Sequence, residues 1–386
     1  GFAAVEREAR ERLKSLDYCD PDYAEKMQFY QAALICVEGV RSFQNRFADL
    51  AEQMAASCPN ARRRQELLLI ASNCRRVPYE PARTYYEAVQ SFWFVILIDY
   101  CGQNGSSISD GRVDQIFRPY YERDLAEGVL TREEAQEILE CFWIKHSDII
   151  KAGTYSSVRN NGGFSTANNL VIGGLDGEGR DAVCDFTYLC LDAEENVFNS
   201  EPNTSIRLSS KNPDAFINRV LEILVRREGG KMPIFNDDLI IPALIRDGLS
   251  KKEALDYAIV GCVEPTGYGN TMGSTNAGMF NLAKCLELAL FDGVCQMSGM
   301  QMGPKTGMLT DFTSFEQVQE AFRTQVQYFV DLMVCSLNCT EKLIGDYCPH
   351  IFSSLLLEGC MEHGRDCTRG GAKYNHIGIQ GVGMAD

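Results

Sequence analysis

The run Tyr257-Ala-Ile-Val-Gly-Cys-Val-Glu-Pro265 places a thiol and a carboxylate two positions apart at the end of an apolar stretch. Residues 258 to 263 read as a strand. Gly261 lets the backbone approach another element closely, and Pro265 biases Glu264 toward extended backbone. On extended backbone the period of two turns Cys262 and Glu264 to one face and into one cavity. The thiol can then serve as a nucleophile or a hydrogen-atom carrier, and the carboxylate can take or give a proton. An anionic neighbour raises a thiol pKa. Cys262 is therefore expected to be a poor two-electron nucleophile and to keep the neutral S–H that hydrogen-atom abstraction requires. A single strand cysteine is most often just a small buried hydrophobe. A carboxylate on the same buried face is costly without a function or a partner, so the pair says more than either residue alone.

Further polar residues are candidates for substrate contact. Phe164, Ser165, Thr166, Asn168 and Asn169 precede a predicted strand, and Thr266 follows Glu264 closely. Ser205 and Arg207 alternate along another strand and so share a face. Arg207 can grip a carboxylate or sulfonate with two parallel hydrogen bonds, although a structural salt bridge is the commoner use of such an arginine. Other signals are weaker. Gly267-Tyr-Gly lacks the spacing of a dinucleotide loop. Met297 to Met302 reads as loop or core filler, Cys335 and Cys339 as two thiols packed on one helical face, and the Asn-Gly-Gly stretch at 161 to 163 as a turn.

The elements that must carry these residues change character along the chain. Residues 1–150 read as a layer of amphipathic helices over 1–16, 21–56, 61–71, 81–101 and 131–151, with apolar residues every three to four positions. Residues 151–386 then alternate short strands, at 169–172, 204–208, 232–235 and 258–263, with helices at 212–227, 238–247 and 251–257. That alternation predicts an α/β core with strands covered on both sides. Helices are expected again from 277 to 292 and from 314 to 337. The closing run Gly378-Ile-Gln-Gly-Val-Gly-Met-Ala-Asp386 is glycine-rich and strand-like. With a first residue that is not methionine, it predicts one continuous domain cut at both ends.

Composition excludes several classes. The 386 residues are 45% apolar and 23% charged, as in globular proteins, and the net charge of −16 would repel a phosphate backbone or an anionic membrane surface. The apolar run from Phe92 to Ile98 is far short of the roughly 20 residues of a membrane span. The sixteen cysteines are scattered through helical and apolar patterns, form no CxxC pair and read as reduced thiols. The four histidines are not spaced as a zinc site. Three glycosylation sequons, at Asn104, Asn203 and Asn338, carry little weight without a secretory signal. A cytoplasmic protein with no metal, in a reducing and anaerobic setting, is expected.

Gly-Cys-Val-Glu-Pro resembles the thiyl-radical loop of the glycyl radical enzymes, in the branch of dehydratases, C–N and C–S lyases and arylacetate decarboxylases. The resemblance extends through Gly229-Gly-Lys-Met-Pro-Ile-Phe-Asn-Asp-Asp238 and Asp256-Tyr-Ala-Ile-Val260, and upstream through Gln90-Ser-Phe-Trp-Phe94, Gly111-Arg-Val-Asp-Gln115 and Pro119-Tyr-Tyr-Glu122. It covers essentially the whole chain. It implies a ten-stranded α/β barrel of two half-sheets with Cys262 on a central finger loop. It also implies a glycyl radical on a C-terminal loop absent from these residues, installed by a radical-SAM activating enzyme, and Glu264 as general base. No bound cofactor is implied. A small polar substrate and a homodimer are. Pyruvate formate-lyase carries two adjacent cysteines on this loop, whereas Gly261 precedes Cys262 here. A formate C-acyltransferase is thus the alternative enzyme, and a catalytically silent structural paralogue the alternative of another class. Gly267-Tyr-Gly-Asn-Thr-Met-Gly-Ser-Thr-Asn-Ala-Gly278 departs from the His-Asp-bearing stretch of diol dehydratases and choline lyase, and leaves decarboxylase, sulfonate lyase or an unassigned lyase open.

Overall fold

The computed structural model describes every residue except 104, 106, 161, 162, 164, 165, 228–230 and 384–386. Six helices open the chain, Phe2–Ser15, Tyr23–Ser57, Ala61–Arg76, Tyr85–Gln103, Val113–Ala126 and Arg132–His146. Their starts follow local chemistry. Asn60 accepts a hydrogen bond from the Arg63 amide, and Thr131 and Glu134 close a reciprocal capping box. Val113–Ala126 is a helix the sequence reading did not delimit, because Pro119 lies inside it. A proline deletes one intrahelical bond. The burial of Val113, Phe117 and Tyr121 on the inner face outweighs that loss.

Three parallel strands follow, β1 (Asn169–Gly173), β2 (Asn203–Leu208) and β3 (Ile234–Asn236), in the order β1-β2-β3. Helices Asp185–Val197 and Asp214–Arg226 make the crossovers that parallel pairing demands. The register sets Asn169 beside Asn203, Val171 beside Ser205 and Gly173 beside Arg207. Alternation divides the residues of this sheet. Leu170, Ile172 and Ile206 enter one core with Phe117, Phe142, Trp143 and Phe186 from the helices, which leaves Asn169, Ser205 and Arg207 on the opposite side. An antiparallel hairpin completes the positioning elements, β4 (Ala258–Val260) against β5 (Glu264–Thr266), with Val260 paired to Glu264.

The chain divides into two compact units. The first contains 1–271, 350–365 and 371–373, and the second contains 272–349, 366–370 and 374–386. The passage from helical layer to α/β core at residue 150 lies inside the first unit, where the opening helices and the strands β1 and β2 share one apolar core. In the second unit the expected helix from 277 is corrected. Gly278–Asn281 is a strand, paired in parallel with Ile379–Val382, and the helix begins only at Leu282. The next helix runs from Phe315 to Tyr347, ten residues past its expected end.

The architecture is helix-rich α/β, as expected. Among the described residues the strands form one three-stranded sheet and separate two-stranded pairs. No helix among the described residues is long and apolar enough to cross a membrane. All sixteen cysteines are free thiols.

Candidate active site

The apolar residues 258 to 260 form β4, and the chain then reverses instead of continuing as a strand. Gly261 takes φ +61°, a left-handed conformation open to glycine at little cost. A Cβ at this position would meet Ser107 Oγ at 3.0 Å and Glu264 Oε2 at 3.2 Å. Gly261, Cys262 and Val263 thus make a three-residue tip, and Cys262 is exposed on it. The reading of Cys262 and Glu264 as neighbours on one strand face is corrected accordingly. Their proximity has another cause: Glu264 Oε2 turns back over the tip and accepts the Cys262 amide at 3.0 Å and the Val263 amide at 2.8 Å.

The tip is held from β1 and from the segment before it. Asn169 donates its side-chain amide to the Gly261 carbonyl at 2.9 Å and approaches the Cys262 carbonyl at 3.5 Å. Ser109 Oγ accepts the Gly261 amide at 3.1 Å and donates to the Ser107 carbonyl. Residues 107 to 111 run beside β1, with the Asp110 amide on the Asn169 carbonyl and the Val171 amide on the Gly111 carbonyl. Asn168 in turn donates to the Ile108 carbonyl at 2.7 Å and to Asp110 Oδ1 at 3.0 Å.

Electrostatics keep the thiol protonated. Partial burial pushes the Cys262 thiol up, and the carboxylates of Glu264 and Glu201 add to the shift. A thiol raised above its ordinary value is an S–H at neutral pH, and the cause first assigned from sequence, the Glu264 charge, is second to desolvation.

The candidate contacts separate into three groups. Phe164 and Ser165 lie outside the described residues. Thr166, Asn168, Asn169 and Ser205 are buried, and each carries a side-chain oxygen without a hydrogen-bond partner among the described residues. Thr266 sits half-buried at the end of β5, opposite Ala258. Arg207 is different. Its guanidinium is fully buried and spent on Asp237, at 2.9 and 2.8 Å, and on the carbonyls of Tyr257 and Leu255, so of its two expected uses the structure shows the salt bridge and leaves the anion grip without free donors directed to a ligand.

Residues that sequence reasoning did not single out complete the setting. Asp237, Tyr257, Arg112, Ser107 and Ser109 hold the hairpin, and their partners lie tens to more than a hundred residues away. The one signal available was a buried-strand arginine, which must find a carboxylate somewhere in the fold.

The fold is thus a parallel sheet backed by helices, with one thiol on a hairpin tip beside a carboxylate. Residues 1–386 match the family described as Pyruvate formate lyase-like, and the chain belongs to that family. It is 34% identical over 388 residues, its whole length, to (2S)-3-sulfopropanediol dehydratase of Klebsiella oxytoca, and covers 47% of that protein. It is 32% identical over 389 residues to trans-4-hydroxy-L-proline dehydratase of Clostridioides difficile, covering 49% of it. A solved structure concerned with 1,2-propanediol dehydration in Roseburia inulinivorans superposes with a TM-score of 0.96 at 39% identity, over 100% of this chain and 48% of the other. The chain thus spans about half the length of the relatives it matches. The B12-independent glycerol dehydratase of Clostridium butyricum superposes at TM-score 0.94 with 38% identity, over 99% of this chain and 48% of that one.

Proposed function

We propose that this chain is the thiol-bearing part of a glycyl radical lyase that cleaves a C–O, C–N, C–S or C–C bond in a small polar substrate. The observation that carries the reading is the Cys262 tip, a single protonated thiol on a fixed hairpin with the Glu264 carboxylate folded over it. A glycyl radical supplies a one-electron acceptor for a hydrogen atom. The residues of this chain fit such a partner, since Cys262 is exposed, neutral and held by Asn169 and Ser109.

The steps then follow from the side chains. Cys262, having given up its S–H hydrogen, removes a hydrogen atom from a substrate carbon and regains its S–H. Glu264 takes a proton from the substrate group on that carbon as the neighbouring bond breaks. Thr166, Asn168, Asn169 and Ser205 offer uncharged oxygens that fix the substrate near the tip. A hydrogen atom returns from Cys262 to the product radical, which leaves the sulfur radical ready for another cycle, and the proton held by Glu264 passes to the departing group. Enclosure by a complete ten-stranded barrel, in a cytoplasmic homodimer activated by a radical-SAM enzyme, is part of the same proposal.

Formate C-acyl transfer through paired cysteines is disfavoured by Gly261, whose φ of +61° strains any L side chain and whose Cβ would lie 3.0 Å from Ser107 Oγ. The test is electron paramagnetic resonance on the full-length protein, activated anaerobically. A glycyl radical doublet, with turnover of a small alcohol, amine or sulfonate that stops in Cys262→Ser, is expected. No radical under conditions that activate a control enzyme would overturn the reading.

A further inference from the structure

Three consecutive residues, Leu255, Asp256 and Tyr257, lead into β4, and every one of them is bonded to a buried arginine. Arg207 donates Nη2 to the Leu255 carbonyl at 3.0 Å and Nη1 to the Tyr257 carbonyl at 2.9 Å. Arg112 donates Nη1 to Asp256 Oδ1 at 3.0 Å and Nη2 to the Gly173 carbonyl at 3.1 Å. The Tyr257 ring lies over the Arg207 guanidinium, 4.0 Å from its carbon, and its hydroxyl donates to Asp237 Oδ1 at 2.7 Å. Asp237 closes the cluster by taking two bonds from Arg207 and one from the Leu175 amide.

We propose that Arg207, Asp237 and Tyr257 act as positioning residues for the reaction, fixing the base of the hairpin whose tip presents Cys262; the inference rests on Cys262 being the hydrogen-atom carrier. The tip alone is secured by Asn169 and Ser109, which leaves a hairpin of two three-residue strands free to pivot unless its base is also pinned. Packing alone does not account for the arrangement. A full set of charged hydrogen bonds is concentrated on the residues that enter β4, where an apolar cluster of the same volume would stabilise the fold as well. Hydrogen-atom transfer needs near contact, and a displacement of about 1 Å costs on the order of a hundredfold in rate.

The test reads Cys262 itself and needs no radical. The chain is alkylated with iodoacetamide across a pH series, and modification of Cys262 is quantified by peptide mass spectrometry against exposed Cys19 in the same sample. Tyr257→Phe keeps the ring and removes the hydroxyl bond. A pivoting tip hydrates the thiol and moves it away from Glu201, with Glu264 travelling along on the same hairpin, so the Cys262 to Cys19 ratio rises about threefold or more and the profile moves to lower pH. Leu139→Ala, a control in the helical core, lowers thermal stability and leaves the ratio within about twofold. In the activated full-length protein Tyr257→Phe lowers kcat about tenfold or more with KM unchanged. A Tyr257→Phe ratio equal to wild type overturns the proposal. Should that variant fail to fold, Asp256→Asn, which loosens only the Arg112 contact to a half-exposed carboxylate, is read in the same way. A changed ratio in a full-length protein that forms no radical would sink the lyase reading and, with it, the role in the reaction, leaving only the fixing of the hairpin base.

Discussion

Asn169, the first residue of β1, donates its side-chain amide to the carbonyl of Gly261, 92 residues further along the chain, at 2.9 Å. This bond ties the rigid parallel sheet to the tip that presents Cys262. Its other side-chain atom, Oδ1, is buried without a partner among the described residues. Asn169→Ala is therefore expected to lose about 1–3 kcal/mol, the cost of leaving the Gly261 carbonyl unpaired. Asn169→Asp would add a charge where a donor is needed and raise KM in the full-length protein. Urea denaturation and steady-state kinetics check the two parts. A fully stable Asn169→Ala would remove the bond from the account of the tip.

Gly261 sets the second prediction. Any side chain there must adopt φ +61° and sit 3.0 Å from Ser107 Oγ. Gly261→Ala is expected to cost about 1–2 kcal/mol from the left-handed conformation alone. Gly261→Cys, which recreates two adjacent thiols, should be no more stable and should gain no coenzyme A-dependent activity. Denaturation midpoints measure the first effect and product analysis the second.

Much of this was legible before the fold was known, and the reasons differ by element. Strand β1 follows from the short apolar run Leu170 to Ile172, because burial on both faces of a parallel sheet demands hydrophobicity, and β2 from the alternation of Thr204, Ile206 and Leu208 with Ser205 and Arg207. The Cys262 and Glu264 pair was found by residue type and spacing. The reversal at Gly261 was not, since a glycine in an apolar run is compatible with either a strand or a turn until its partner at Ser107 is in place. The helix through Pro119 was hidden by a residue that normally ends helices. For Arg207 a salt bridge was the commoner expectation, but its partner was not legible, because the carboxylate lies 30 residues away on another element and nothing in local spacing announces it.

Glu264 carries two duties that a substitution can separate. Its Oε2 accepts the amides of Cys262 and Val263, and a glutamine carbonyl oxygen can accept the same pair. Glu264→Gln is expected to keep the hairpin and the melting temperature, while turnover of the full-length protein falls about a hundredfold or more through loss of the general base. Glu264→Ala should lose both. If Glu264→Gln retains full turnover while Glu264→Ala does not, the carboxylate is a cap for the turn and the base lies elsewhere.

Buried thiols predict the response to alkaline pH. Burial raises the Cys74 thiol to about 11, pushes Cys190 well above its ordinary value and raises Cys262 in the same direction. A group with a raised folded-state pKa gives its full stability below the unfolded value and loses it as pH climbs toward the folded one. For Cys74 the window runs from the ordinary thiol value of 9.0 to about 11, where the unfolded chain releases a proton that the folded chain holds. The denaturation midpoint should thus be flat through neutral pH and fall across that window. Cys74 packs between Ala48 and Phe94, so Cys74→Ala lowers stability at every pH through its small cavity. The same variant has no thiol to ionise, and its decline above the ordinary thiol value should be shallower than wild type. An equal slope in both proteins would assign the alkaline loss to other groups, the buried tyrosines Tyr85 and Tyr257 first among them.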